Sequence, residues 1–285
     1  MLAKKYLQLA RFPEAFLFSF FSVATSYLFA SNGALHLDIL IPVSAGIFGT
    51  AGMCALNDYY DFEADKLGAK NRPLPSGAIS LKDGLSFAII LTITGMMITG
   101  LSDKILLPVI GGFAVITGML YNWKTKGLGL WGTINFGLIM IMLVMIGVAQ
   151  IDTNLLNSKY ILLFCFVFFT AAGNQSTANF YDFKSDKIYG YSTIPNIYGL
   201  NIGAIIVLGI RIAGFILLVL ILFNNNMLNV INSILLLIIV LLILISHHFL
   251  SIAHETRNAA IAFKISIAIT LLSFCAIVFG IYIKN

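Results

Sequence analysis

The chain has 285 residues, 59% of them hydrophobic and only 10% charged, with a mean hydropathy of +0.96 and a formal net charge of +5. This balance excludes an ordinary water-soluble domain and predicts an integral membrane protein. The apolar runs are too long for barrel strands and lack their alternation, which excludes a transmembrane β-barrel, and no nucleic-acid partner is expected.

Runs of about 20 apolar residues, each able to cross about 30 Å of hydrocarbon as a helix, lie near 15–31, 38–57, 84–102, 104–122, 131–150, 159–178, 201–223, 227–249 and 263–283. The predicted fold is all-α, a polytopic membrane bundle of about nine transmembrane helices. Only Ser102-Asp103-Lys104 separates the third run from the fourth. Ahead of the first run, Lys4-Lys5-Tyr6-Leu7-Gln8-Leu9-Ala10-Arg11 is basic and amphipathic and reads as an interfacial segment. Pro13 suits a first helical turn, and Glu14 reads as a helix N-terminal charge. No cleaved signal peptide is expected. The second run is rich in small residues, Ser44-Ala45-Gly46 and Gly49-Thr50-Ala51-Gly52, which permit close approach of a neighbouring helix or a flat ligand. Cys54, Cys165 and Cys275 lie inside apolar runs and read as small buried hydrophobes.

Two acidic stretches stand where long apolar runs end, Asn57-Asp58-Tyr59-Tyr60-Asp61-Phe62-Glu63-Ala64-Asp65-Lys66 and Asn179-Phe180-Tyr181-Asp182-Phe183-Lys184-Ser185-Asp186-Lys187. They align without gaps: Tyr60, Asp61, Phe62, Asp65 and Lys66 meet Tyr181, Asp182, Phe183, Asp186 and Lys187. The alignment predicts two repeated halves, roughly 15–122 and 131–249, followed by a last span at 263–283, in one unit covering 1–285. On a continuous helix Asp58, Asp61 and Asp65 share one face, as do Asp182 and Asp186. Carboxylates crowded in this way repel one another unless a cation neutralises them. Magnesium is the expected ion, since it takes oxygen ligands and is usually held by one or two carboxylates plus substrate phosphates. Two clusters predict two ions around one polyphosphate.

Most lysines and arginines fall on the side of the acidic stretches under a nine-span count, with Lys104, Lys159 and Lys284 on the other, so the acidic side is expected to be cytoplasmic. Ser80-Leu81-Lys82-Asp83 resembles a capping box opening the third span, which makes Asp83 a cap. In Tyr121-Asn122-Trp123-Lys124-Thr125-Lys126-Gly127 the lysines read either as positive-inside charge or as cations closing over phosphate. Gly173-Asn174-Gln175-Ser176-Thr177 is polar for a membrane helix and should face the bundle interior. Arg211 reads as a snorkelling or interhelical hydrogen-bonding residue. His247, His248, His254 and Glu255 lack the spacing of a zinc pair and are expected at the rim.

The pattern Asn57-Asp58-x-x-Asp61-x-x-x-Asp65, followed by Asn71-Arg72-Pro73-x-Pro75-Ser76-Gly77, resembles the UbiA superfamily of intramembrane prenyltransferases. Asp182, Asp186, Gly190, Thr193, Pro195 and Gly199 resemble its second aspartate-rich motif, and the nine-span layout agrees over the whole chain. The resemblance implies a central cavity under a cytoplasmic cap, in a multi-pass protein of the cell membrane. It implies that Asp58, Asp61, Asp65, Asp182 and Asp186 hold two magnesium ions bridging an allylic prenyl diphosphate. Asn57 would assist the first motif, and Arg72, Lys124 and Lys126 would neutralise diphosphate charge. Tyr121, Asn174 and Asn179 complete the expected substrate-binding set. The implied reaction moves a prenyl group to a hydrophobic acceptor in isoprenoid lipid or quinone biosynthesis, with membrane lipid around the site. Many members carry a further aspartate where this chain has Asn179, which offers oxygen but no charge. The Gly190-x-x-Thr193-x-Pro195 spacing is closer to branches acting on chlorophyllide, glyceryl ethers or quinone precursors than to the hydroxybenzoate branch. A terpene cyclase on the same fold, or a cation transporter with paired repeats, are the competing readings, and the sequence shows no general base.

Overall fold

The computed structural model describes residues 2–67, 72–252 and 256–283. Asn71, His254, Glu255 and Lys284, all drawn on in the sequence reading, lie outside the described residues.

A short amphipathic helix α1 (Leu2–Leu9) precedes the bundle, with Leu9 buried and Lys4 exposed. The spans are α2 (Phe12–Ala30), α3 (Leu40–Tyr60), α5 (Leu81–Thr99), α6 (Leu106–Trp123), α7 (Leu130–Ala149), α8 (Ser158–Tyr181), α10 (Ile194–Asn224), α11 (Val230–Ser251) and α12 (Thr256–Tyr282). Two short helices complete the set, α4 (Phe62–Leu67) after α3 and α9 (Phe183–Tyr189) after α8. Nine helices among the described residues are thus long and apolar enough to cross a membrane, as the sequence predicts. All backbone groups within such helices bond internally, which is why a bilayer tolerates them.

Local chemistry sets the ends. Pro13 sits in the first turn of α2, where its missing N–H costs nothing. Ser80 caps α5: its Oγ accepts from the Asp83 amide at 3.1 Å and donates to Asp83 Oδ2 at 2.7 Å. Asn229 caps α11 in the same way, accepting from the Asn232 amide at 2.9 Å. Gly190 ends α9 at φ 85°, and Gly199 kinks α10 near its start at φ 76° and ψ 168°, a conformation few residues but glycine adopt.

The helices approach closely where residues are small. A Cβ on Gly95 of α5 would lie 2.7 Å from the Gly49 amide nitrogen and 3.0 Å from the Ala45 carbonyl oxygen of α3. The small-residue stretch of the second span therefore serves the α3–α5 contact, where dispersion over a close backbone approach does the holding. Arg211 bridges three helices: Nη1 donates to Ser246 Oγ at 2.5 Å and Nη2 to Thr177 Oγ1 at 2.6 Å. It is an interhelical hydrogen-bonding residue. At the opposite end from the acidic stretches, Tyr27 donates to Asp38 Oδ1 at 2.5 Å, Gln150 donates to Asp38 Oδ2 at 3.1 Å, and Ser102 donates to Gln150 at 2.9 Å.

α3 and α8 run towards the same end of the bundle, and there α4 packs against α9. That contact brings the two acidic stretches, 121 positions apart in sequence, to one place.

Candidate active site

Both acidic stretches are interrupted helices. Asp61 follows the last residue of α3 with φ −85° and ψ 0°, and Asp182 follows that of α8 with φ −92° and ψ 5°. These are bridge-region conformations, frequent at active sites. The flanking bonds also match. The Asp61 and Asp182 amides reach back to Asn57 and Ala178 carbonyls at 2.9 and 3.0 Å, and the Asp65 and Asp186 amides to Asp61 and Asp182 carbonyls at 2.7 and 2.8 Å. Asp58, Asp61 and Asp65 thus do not share the face of a single straight helix. Asp58 belongs to α3, Asp61 to the break, and Asp65 to α4, because a turn of chain at the break redirects the side chains.

The breaks open on a cavity of about 500 Å³ within the bundle. Glu14, Asp61, Asp65, Asp182 and Asp186 line it, with the cations Arg11, Arg72 and Lys126. Five carboxylates against three cations leave an excess of negative charge suited to divalent ions. Asp58 does not line the cavity. It is 2% exposed and accepts from Arg11 Nη2 at 2.5 Å and from Arg72 Nη1 at 3.0 Å. Arg72 Nη1 also donates to Asp65 Oδ2 at 2.5 Å. Asp58 therefore anchors two arginines from behind the wall, and Arg72 ties α3 to α4. Lys126 pairs with Asp61 Oδ1. Burial pushes its ammonium down to about 8, with Asp186 acting in the opposite direction.

The remaining expected residues divide. Asn57, Tyr121, Asn174 and Asn179 all line the cavity. Asn57 Nδ2 donates to Asn122 at 2.9 Å, and Asn57 Oδ1 accepts from Arg11 at 3.3 Å. Asn179 accepts from Gln175 at 3.3 Å. Asn174 binds α12, accepting from Ser266 at 2.6 Å and donating to Thr270 at 2.8 Å, about 12 Å below Asp182 along α8. Lys124 is exposed, outside the cavity lining, with its ammonium 6.0 Å from the Trp123 ring centre. The two lysines of one loop face different surroundings because the Lys126 side is pinned: the Ser192 amide donates to the Gly127 carbonyl at 2.9 Å, and Lys126 lies 5.6 Å from the Tyr191 ring centre.

Sequence reasoning missed Arg11, Asn122, Ser185 and Tyr191, all of which line the cavity, whereas Gln175 lines it as expected for the polar stretch of α8. Arg11 was absorbed into the interfacial basic segment. Its one local signal is a cation three residues before an acid at a helix start, which is too common to single out.

Below the charges the lining turns apolar and deep. Phe136, Met140, Met142, Leu143, Ile146 and Val167 form its walls. Thr99, at the far end of α5, and Phe274, about 27 Å along α12 from its first residue, reach its floor. A polar head bound at the breaks thus continues into a shaft crossing most of the bundle.

The UbiA prenyltransferase family profile matches residues 19–268. The chain belongs to that family. A digeranylgeranylglyceryl phosphate synthase of Methanobrevibacter smithii is 28% identical over 184 residues, 63% of this chain and 65% of that protein. The chain thus matches just under two thirds of that relative's length. A solved structure concerned with digeranylgeranylglyceryl phosphate synthase in membranes is 23% identical, with a TM-score of 0.73 and 98% of each chain covered. A UbiA homologue from Archaeoglobus fulgidus, bound to DMAPP and Mg2+, is 18% identical with a TM-score of 0.70, covering 96% of this chain and 99% of that one. These structures share the fold of this chain.

Proposed function

We propose that the chain is a magnesium-dependent prenyltransferase that moves a long prenyl group from an allylic diphosphate to a glyceryl-type acceptor. The observation that carries this reading is the joining of two matched acidic breaks to one deep apolar shaft. The relatives named for digeranylgeranylglyceryl phosphate support the acceptor class, and the Archaeoglobus fulgidus homologue, bound to DMAPP and Mg2+, supports the donor and the ion. We further propose that residues 1–285 act as one unit in the cell membrane with the acidic end cytoplasmic, in keeping with the basic residues gathered there.

The donor set fits magnesium, because Asn57, Asp61, Asn179, Asp182 and Asp186 offer only oxygen. Among the described residues no three His, Cys, Asp or Glu side chains gather into a complete metal cage, so substrate oxygens would finish the coordination. Asp58 and Asp65 act differently from the other acids, holding Arg11 and Arg72 in place. Magnesium, when bound, would supply positive charge to the diphosphate as it departs. Arg72 and Lys126 add fixed cations at the same place, with no reorganisation needed during the reaction. The apolar walls exclude water from the electron-deficient prenyl carbon until the acceptor oxygen attacks it.

The neighbouring lysines give a direct contrast. Lys126→Met should raise the KM for prenyl diphosphate about tenfold or more, the scale of one charge-assisted hydrogen bond. Lys124→Met should leave it within about a factor of two, as befits an exposed cation. Steady-state kinetics of both variants decides this.

The reading as a whole is tested by incubating the purified protein with magnesium and a panel of prenyl diphosphates, with and without a monoalkyl glyceryl phosphate. Diphosphate release that requires the acceptor, with an ether product, is expected. Release without acceptor, with a cyclic product, would make it a cyclase. Cation flux in liposomes without any release would make it a transporter.

A further inference from the structure

We propose that Glu14 is the group that takes the proton from the acceptor hydroxyl during prenyl transfer, an inference that rests on the transferase reading above. Glu14, Ala15, Phe18 and Ser22 line the cavity from α2, the spacing of a single helical face, and Arg11, the residue just ahead of that helix, lines it as well. At the top of this face Arg11 is bound to Asp58 and Asn57. Glu14 lies one turn deeper, about 4.5 Å along the axis. With the diphosphate held among Arg11, Arg72 and Lys126, that depth is where the reacting prenyl carbon begins.

Glu14 also differs from every other acid in the lining. Asp61 is paired with Lys126 and Asp65 with Arg72, while Asp182 and Asp186 belong to the second acidic break. The Glu14 carboxylate, among the described residues, enters no hydrogen bond or ion pair. It lines the cavity and is nonetheless exposed, so it stands where the cavity opens to the surface. α12 packs against α2 and contributes Phe263 and Ile267 to the same cavity. An alcohol carried in lipid can meet Glu14 along this apolar side without passing the charged end.

The chemistry needs such a group. As the bond between prenyl C1 and the diphosphate oxygen breaks, its electron pair leaves on the diphosphate. A lone pair of the acceptor oxygen forms the new carbon–oxygen bond, and the hydroxyl proton passes to a Glu14 carboxylate oxygen, which later gives it to water.

The test compares the full chain with Glu14→Gln and Glu14→Asp, using geranylgeranyl diphosphate, magnesium, and either a monoalkyl glyceryl phosphate or its thiol analogue. A thiol ionises near pH 8.5, so around that pH it needs little help from a base. With the alcohol, Glu14→Gln should lower kcat about 100-fold, the scale of general-base catalysis, with Glu14→Asp recovering part of the loss. With the thiol the Glu14→Gln defect should shrink to less than about a tenth of that, while the KM for the diphosphate, which also reports correct folding, stays close to that of the unmodified chain. Equal losses with alcohol and thiol, or no loss with the alcohol, would overturn the role of Glu14. If Glu14→Gln fails to bind the diphosphate, the alcohol-to-thiol ratio of Glu14→Asp decides, an unchanged ratio overturning it. Failure of the unmodified chain to use either acceptor would instead overturn the transferase reading.

Discussion

Asp182→Asn is expected to lower magnesium-dependent prenyl transfer by about 10³-fold, the scale seen when a group stabilising developing charge is removed. The second break has little charge in reserve. Asn179, buried at 7% exposure and bonded to Gln175, contributes oxygen alone, so Asp182 and Asp186 supply all the carboxylate charge that α8 and α9 bring to the cavity. Removing one halves it. The loss should therefore fall on kcat and on the magnesium concentration needed for half-maximal rate, with the first break still able to bind. The converse substitution gives the control. Asn179→Asp adds a carboxylate at a position already lining the cavity, and should lower the half-maximal magnesium concentration. A magnesium titration of initial rates for the three proteins checks both directions. Unchanged magnesium dependence in Asp182→Asn would remove Asp182 from the ion-binding set.

Much of this arrangement was legible in the sequence, and the illegible part has a physical cause. All nine spans follow from runs of apolar residues, because the bilayer imposes one length and one kind of secondary structure. The repeat of Tyr60-Asp61-Phe62 in Tyr181-Asp182-Phe183 correctly points to matched local geometry. Spacing alone, however, assumes an unbroken helix. The bridge-region breaks at Asp61 and Asp182 have no glycine or proline to announce them, and they divide acids that a helical wheel would place together. Asp58 thereby turns to Arg11 and Arg72 and away from the cavity. Partners 46 and 47 positions apart, such as Arg11 with Asn57 and Asp58, are set by the packing of α2 on α3. No local pattern encodes them. Lys124 and Lys126 make the same point over two residues, since the bridge from Ser192 to Gly127 decides which of them turns inward.

Arg72→Met should destabilise the protein by about 2–3 kcal/mol, at or below the lower end of the range for breaking a buried ion pair. The discount reflects Arg72 itself, whose side chain is 24% exposed and so partly solvated already. Its partners are not. The Asp58 and Asp65 side chains are each 2% exposed, and both depend on the same Nη1 nitrogen at 3.0 and 2.5 Å. Loss of the guanidinium takes one cation from two buried carboxylates on α3 and α4, while Asp58 keeps its bond from Arg11. A purely substrate-binding arginine would leave stability almost untouched and alter only diphosphate affinity, so thermal unfolding in detergent separates the two roles. A second substitution sharpens the distinction. In the Arg72→Met background, Asp58→Asn removes one of the two crowded carboxylate charges while Arg11 keeps a hydrogen-bond acceptor. It should recover about 1 kcal/mol, a coupling of the size expected for residues in one ion-pair network. The same change in the unmodified protein should be destabilising, because it weakens the anchorage of both arginines. A reversal of sign between the two backgrounds would identify Asp58 as the counter-charge that holds the arginines in place, leaving Asp61 to the cavity.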